Sequence, residues 1–159
     1  MKQNNDLIGW ENCMVLGIPI IDKQHRNLLR ILKKIHIACK DADETASHII
    51  NSNVHEIIEY LGTHFRTEEK IMLLLEYKGF INHRQIHDDY IRKLIMETAL
   101  HSMSKYFPGL FIDSIKDWIL SHIAIHDQLM SEQIRNMKEY GKFGMLLTKK
   151  MEEYERTAN

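Results

Sequence analysis

Two pairs of potential metal ligands lie near the middle of the chain. His64 and Glu68 stand four positions apart, and His83 and His87 have the same spacing. On a helix, side chains at positions i and i+4 project from one face, one turn apart. The segment YKGF at 77–80 predicts a chain reversal between the pairs, which lets the two faces meet inside a bundle. The spacing therefore predicts a metal site formed between neighbouring helices.

The carboxylate of Glu68 falls on the apolar stripe of its predicted helix. This stripe recurs at spacings of three and four residues and consists of Val54, Ile57, Leu61, His64, Glu68, Met72 and Leu75. A buried carboxylate costs several kcal/mol unless it is paired or bound to a metal. We therefore expect Glu68 to have a partner inside the core.

Every predicted helix contributes at least one inward-facing nitrogen or oxygen ligand. The candidates are His25, His64, Glu68, His83, His87 and His122. A single catalytic zinc ion normally takes three protein ligands, so a set of imidazoles this large implies two ions. Imidazoles and carboxylates without thiolates suit iron, manganese or zinc. The alternative is a metal-free core of histidines bonded to carbonyl groups or to one another, which has to bury the same imidazoles and a carboxylate.

The fourth predicted helix, which begins near Ile112, leaves the second bridging ligand open. Its apolar side is expected to contain Ile115, Trp118, Ile119, His122 and Leu129. His126, at i+4 from His122, lies about 40° away around a helix, whereas Asp127, at i+5, lies about 140° away. Periodicity alone therefore favours His126. The histidines outside the final ligand set are expected to be exposed or peripheral, namely His36, His48, His55, His101 and His126.

The composition fits one domain with no strong electrostatic preference for a partner. In 159 residues, 21 Lys and Arg balance 22 Asp and Glu, for a net charge of -1. Nucleic acid and anionic membranes are therefore not expected as partners. No apolar stretch approaches the roughly 20 residues of a membrane span, the N-terminus has no signal-peptide pattern, and the two cysteines form no CxxC motif. We expect a cytoplasmic protein that is not inserted in a membrane.

Helical periodicity and short connections predict an all-α fold, an antiparallel up-down-up-down four-helix bundle. Asp22 is expected to cap the first helix, and the third helix is expected to begin near Asn82. The segment KYFPG at 105–109 predicts the turn before the fourth helix. We expect a single domain over 1–159, with an irregular N-terminal arm at 1–20, the bundle at 21–139 and a short C-terminal helical extension at 140–159.

Four segments of the sequence resemble the ligand segments of the hemerythrin family, and within it the bacteriohemerythrins. They are DKQH at 22–25, HFRTEE at 64–69, HRQIH at 83–87 and WILSHIAIHD at 118–127, and the resemblance extends over about 10–130. The joint pattern HxxxE, HxxxH and HxxxxD is highly specific. The last of these motifs implies Asp127, rather than His126, as the second bridging carboxylate.

The resemblance also implies how the ligands are divided between two iron ions. One iron would be held by His83, His87 and His122, the other by His25 and His64, with Glu68 and Asp127 bridging both. With the oxo or hydroxo bridge of the family, one iron would be six-coordinate and the other five-coordinate. Dioxygen would then bind at the open position of the His25/His64 iron.

The function implied by this resemblance is reversible dioxygen binding for oxygen storage, delivery or sensing, without enzymatic activity. Five neutral imidazoles and two carboxylates leave more positive charge on the ion pair than the four carboxylates of ferritin-like sites, which disfavours high-valent iron. Trp118 and Ile119 are candidates for a dry lining of the oxygen pocket, or else plain core residues. A di-iron oxidase or a peroxide- or nitric-oxide-consuming enzyme is the main alternative, and a metal-buffering or zinc-binding module is another. On this interpretation, oxygen delivery or signalling would need a protein partner, which the sequence does not identify.

Overall fold

Helices make up nearly all of the chain that the computed structural model describes, which is residues 14–40, 46–101, 107–136 and 149. The helices are α1 (Pro19–Lys40), α2 (Ala46–Leu74), α3 (Phe80–His101) and α4 (Phe107–His122). A π-helical turn, Ile123–Asp127, joins α4 to α5 (Gln128–Arg135), so these three pieces together form the fourth rod of the bundle. The described ranges contain no β-strand. The prediction of an all-α four-helix bundle is confirmed.

The predicted terminal segments fall mostly outside these ranges. The described part of the N-terminal arm begins at Met14, and the extension at 140–159 lies outside the described residues except for Lys149. Within the described ranges, no helix combines the length and the apolar character needed to cross a membrane.

The core lies between the helices, with α1 packed against α2 and α4, and α2 packed against α3. The apolar stripes predicted for the first two helices are buried, including Leu28, Leu32, Ile35, Ile57, Leu61 and Met72, each with 0 % of its surface exposed. Burying one such side chain contributes roughly 1.5–3 kcal/mol to folding. Leu129 was wrongly assigned to the apolar side of the fourth helix, because half of its surface is exposed.

The entry into α1 differs from the predicted cap. The helix begins at Pro19, whose fixed φ and missing N–H suit a first helical turn. Asp22 therefore lies inside the first turn, where its carboxylate accepts hydrogen bonds from the backbone N–H of Leu16 at 2.8 Å and of Gly17 at 3.2 Å. Gly17 has a φ of 75°, which favours glycine. Arg135, the last residue of α5, donates a hydrogen bond to the carbonyl of Leu16. The segment before α1 is therefore joined to the end of α5.

The predicted reversal between the ligand pairs is a tight turn between α2 and α3. The N–H of Tyr77 donates to the carbonyl of Met72 at 2.8 Å, and Glu76 adopts the left-handed conformation with φ 51°, as expected of a helix C-terminal cap. The ring of Tyr77 lies across Gly79, where a Cβ atom would be 2.6 Å from ring atoms. The third helix begins at Phe80, two residues earlier than predicted. The short connection makes α2 and α3 antiparallel neighbours.

Candidate metal centre

Seven potential ligands from all four rods of the bundle meet in its interior. Each has at most 3 % of its surface exposed, and they are His25, His64, Glu68, His83, His87, His122 and Asp127. Their donor atoms form two groups in which all atoms lie within 4.8 Å of one another. One group contains three histidines and the other contains two, and both include the same two carboxylates.

The three-histidine group has the spacing of ligands around one ion. Nε2 of His122 lies 3.2 Å from Nε2 of His83 and 3.0 Å from Nε2 of His87. Oδ1 of Asp127 lies 3.0 Å from Nε2 of His122, and Oε2 of Glu68 lies 3.2 Å from Nε2 of His87. Two ligand atoms at neighbouring corners of an octahedron, each about 2.1 Å from its centre, are about 3.0 Å apart. The atoms therefore fit the corners of one octahedral ion.

The two-histidine group is slightly more open. Nε2 of His25 lies 3.3 Å from Oδ2 of Asp127 and 3.8 Å from Oε1 of Glu68. Nε2 of His64 lies 3.5 Å from the same oxygen of Glu68. Glu68 thus directs Oε1 to the two-histidine group and Oε2 to the three-histidine group, and Asp127 divides its oxygens in the same way. This is the geometry of two carboxylates that bridge a pair of cations.

The carboxylates themselves show that these residues fit a cation. All four oxygens of Glu68 and Asp127, and Nδ1 of His122, are buried without a well-formed hydrogen bond in the described ranges. Buried polar groups in proteins are nearly always satisfied, and buried charges are paired or coordinate metals. Positive ions between the two carboxylates would satisfy these oxygens, whereas a metal-free core leaves them poorly compensated.

A local change of helix type brings Asp127 into this site. The N–H of Gln128 donates to the carbonyl of Ile123, five residues earlier, as in a π-helix. Such a turn contains one more residue than an α-helical turn. Asp127, five residues after His122, therefore points inward, as the residue four positions after His122 would in a regular α-helix. Asp127 is fully buried, whereas His126 is partly exposed beside it. Regular α-helical periodicity favours His126 because it does not include this turn, whereas the structure places Asp127, the residue that the family resemblance implies, among the buried candidates.

The comparisons with known proteins agree with this geometry. The family model described as "Hemerythrin HHE cation binding domain" matches residues 16–134. The chain belongs to the hemerythrin family. The match covers three quarters of the chain and contains all seven buried candidate ligands. Family membership and the buried ligand set together identify a metal-binding site.

Curated hemerythrins cover most of the same region. A bacteriohemerythrin of Stenotrophomonas maltophilia is 23% identical over 129 residues, covering 81% of this chain and 82% of the relative. A bacteriohemerythrin of Clostridium acetobutylicum is 28% identical, covering 75% of this chain and 95% of the relative. Myohemerythrin-1 of Phascolopsis gouldii is 32% identical, covering 74% of this chain and 87% of the relative. The predicted resemblance to bacteriohemerythrins is confirmed.

Two outer hydrogen bonds orient histidines among these candidate ligands. Nδ1 of His64 is 3.2 Å from Oε1 of Gln24, and the amide nitrogen of Gln24 donates to Thr67 at 3.0 Å. Nδ1 of His87 is 3.1 Å from the carboxylate of Glu69. Contacts of this kind fix the ring orientation of a ligating histidine, so that Nε2 faces the metal.

Sequence reasoning missed both of these outer partners. Gln24 directly precedes the ligand His25, and Glu69 directly follows the ligand Glu68. Consecutive residues on a helix point about 100° apart. Gln24 therefore contacts His64 on α2, and Glu69 contacts His87 on α3, rather than the residues beside them in the sequence. The helix that each one faces depends on the packing of the bundle, which spacing along one helix does not contain.

Aromatic rings cover the three-histidine side of the site. The ring of Phe65 stacks on that of His87, with centroids 3.9 Å apart and an angle of 3°. Trp118 stacks on His122 with ring centroids 4.6 Å apart, and Tyr90 stacks on Trp118 at 3.5 Å. Phe65 was not predicted at this site, although it is next to the candidate ligand His64 in the sequence. Trp118 contacts the predicted site, and Ile119, with 2 % of its surface exposed, lies in the core.

Burial and neighbouring charges shift the pKa values of the candidate ligands in opposite directions. Burial lowers the pKa of His25, but the carboxylates of Asp127 and Glu68 outweigh burial and raise it to about 9. Burial lowers the pKa of His64 to about 4, against the attraction of Glu68. Burial works to raise the pKa of Glu68 and Asp127, yet the surrounding imidazoles hold both below the usual range. At neutral pH, a proton on His25 therefore partly compensates the two carboxylates.

Proposed function

We propose that this hemerythrin binds dioxygen reversibly at a non-haem di-iron centre, for oxygen storage, delivery or sensing. The observation that supports it is the unequal division of histidines around two shared carboxylates, three on one side and two on the other. The relatives named bacteriohemerythrin and myohemerythrin support the same assignment. An unequal division gives one ion more protein ligands than the other, and so leaves room for a small ligand at the second ion.

The proposed ligand set is the one that the sequence motifs imply. The three-histidine iron would be held by His83, His87 and His122, and the two-histidine iron by His25 and His64, with Glu68 and Asp127 shared. When bound, the ferrous pair supplies the electrons with which dioxygen is held reversibly. The protein contributes the fixed positions of the ligands, which the outer contacts of Gln24 and Glu69 maintain.

The composition of the site favours binding over substrate oxidation. The protein provides two negative charges, from Glu68 and Asp127, and five neutral imidazoles to a metal pair. Ferritin-like di-iron sites provide four carboxylates and two histidines. Fewer anionic ligands stabilise the higher oxidation states of iron less, so cleavage of the bound oxygen is disfavoured. This is the reason for proposing a binding protein rather than an oxidase.

We propose that two apolar side chains beside the candidate ligands, one buried and one partly buried, form a barrier to water. Ile119 is buried one turn before His122, and Trp118 covers the ring of that ligand. Water and protons assist the loss of reduced oxygen species from an iron site, so apolar contacts here slow autoxidation. Replacing Ile119 by Ser should therefore increase the autoxidation rate of the loaded protein more than it changes metal content.

The direct test of the proposed function combines metal analysis with an oxygen cycle. The purified, anaerobically reduced protein should contain two irons per chain, develop a visible charge-transfer band in air and lose the band on deoxygenation. The variant Glu68→Ala should lose iron, because both ions share that carboxylate. Rapid, permanent oxidation with steady consumption of a reductant would indicate the enzyme alternative instead. A native protein with zinc or without iron would contradict the proposed di-iron centre.

A further inference from the structure

The buried ligands of the proposed metal centre require a route by which an ion reaches them. A cavity of about 390 Å³ lies between the α2–α3 turn, the first turn of α3 and the fourth rod. Its rim includes the exposed side chains of Lys78, Asn82 and Gln133, and its lining includes the candidate ligand His83. The cavity therefore connects solvent with the edge of the three-histidine group.

His126 lies in the wall of this cavity beside two of the buried candidate ligands. It lines the cavity and is partly exposed. Its ring centroid lies 6.2 Å from that of His83 and 5.3 Å from that of His122. The π-helical turn that directs Asp127 inward directs His126 to this place. The imidazole of His126 is therefore close to those of His83 and His122, although it does not belong to the buried set.

We propose that this cavity is the port through which a divalent metal ion enters the protein, and that His126 is its transient ligand during entry. The proposal rests on the metal centre of the proposed function. The ion exchanges a water for Nε2 or Nδ1 of His126, and then exchanges that contact and further waters for His83 and the buried set. Only ligands are exchanged, and no oxidation state changes.

The dimensions and the polar groups of the port suit a hydrated cation. A divalent ion with six waters about 2.1 Å away, and a water radius of about 1.4 Å, occupies roughly 180 Å³, which the cavity accommodates. The side-chain amides of Asn82 and Gln133 offer oxygens to such an ion at the rim. Lys78 carries a positive charge at the same rim, so it should slow the approach of a cation.

Replacing His126 and replacing Lys78 should change the rate of metal uptake in opposite directions. Metal-free protein is mixed anaerobically with Fe²⁺ or Co²⁺ in a stopped-flow instrument, and bound metal per chain is measured at completion. His126→Ala should slow uptake roughly tenfold, the effect of losing one stabilising contact on the entry barrier, while the final content stays at the wild-type value. Lys78→Gln should accelerate uptake about threefold at low salt, and less at high salt.

The control for both variants is His55→Ala, an exposed histidine of α2, which should leave the rate unchanged. An unchanged rate in His126→Ala would overturn the port, and so would an unchanged rate in Lys78→Gln, whose exposed side chain can be replaced without risk to folding. A lower final metal content in His126→Ala would also overturn it, because His126 would then be a resident ligand. Failure of the wild-type protein to bind metal would instead contradict the proposed function.

Discussion

The stability of the metal-free protein should decrease as the pH rises from neutral to 9, because of His25. In the folded protein, the carboxylates of Asp127 and Glu68 raise the pKa of His25 from 6.5 to about 9, against the effect of burial. Between these two values the folded state holds a proton that the unfolded state has lost. The free energy of unfolding therefore falls with pH across this range, and the contribution of His25 is complete only below pH 6.5.

The size of this effect follows from the shift. A rise of 2 to 3 pH units at about 1.4 kcal/mol per unit corresponds to roughly 3 kcal/mol. Below pH 6.5 the sign reverses, because the folded protein keeps His64 neutral down to about 4 while the unfolded chain protonates. The depressed pKa values of Glu68 and Asp127 also remove stability as the pH falls. Metal-free protein should accordingly be most stable near pH 6.5.

Urea unfolding of chelator-treated protein, followed by circular dichroism at pH 6.5, 7.5 and 9, measures this profile. With a urea dependence of about 1–3 kcal/mol per M, the midpoint should fall by roughly 1–3 M between the outer values. His25→Gln should flatten the alkaline limb, whereas His55→Gln, at an exposed position of α2, should preserve it. A wild-type profile that is level between pH 6.5 and 9 would refute the assignment of a shared proton to His25.

Three further predictions test how neighbouring structure supports the site. Glu69→Gln should keep the metal but weaken its binding about 10- to 100-fold in chelator competition, because the histidine that it orients loses a charged partner. Gly79→Ala should lower the free energy of unfolding in urea by about 1–3 kcal/mol, because the new Cβ would overlap the ring of Tyr77. The matched control Gly62→Ala lies in α2 with space around it, and it should raise the free energy of unfolding by about 0.5–1 kcal/mol. Deletion of the exposed Ala124 should convert the π-helical turn to an α-helical one and leave Asp127 inward. Elemental analysis should then find wild-type metal content, and loss of metal would show that the extra residue itself is required.

The sequence was sufficient for the architecture and for most of the site, because both follow helical periodicity. Leu61, His64, Glu68 and Met72 share one spacing, so the ligands of α2 lie on the face that the core buries. The tight turn at 77–80 then fixes α3 opposite α2. Ligands on core-facing positions of neighbouring helices must converge, and no tertiary information is needed to predict that they do.

Periodicity failed where the backbone departs from the α-helix. A uniform 100° per residue selects His126, whereas the added residue of the π-helical turn selects Asp127. The motif HxxxxD contained the correct spacing, but only the resemblance to a family gave that spacing a meaning. The start of α1 was missed for a related reason, since Asp22 satisfies amide groups of the preceding segment rather than those of its own helix.

The metal site and the hydrophobic core of this hemerythrin form one cooperative unit. Each rod contributes a ligand from a position that its apolar stripe would otherwise fill, so the carboxylates of Glu68 and Asp127 are enclosed wherever the core is formed. Without metal, the folded chain compensates these charges with a proton on His25 and leaves their oxygens without well-formed hydrogen bonds. A bound metal would replace that proton and satisfy those oxygens, so its free energy of binding would add to the stability of the whole bundle. Metal bound at this site would therefore strengthen the packing that joins the four helices of the bundle.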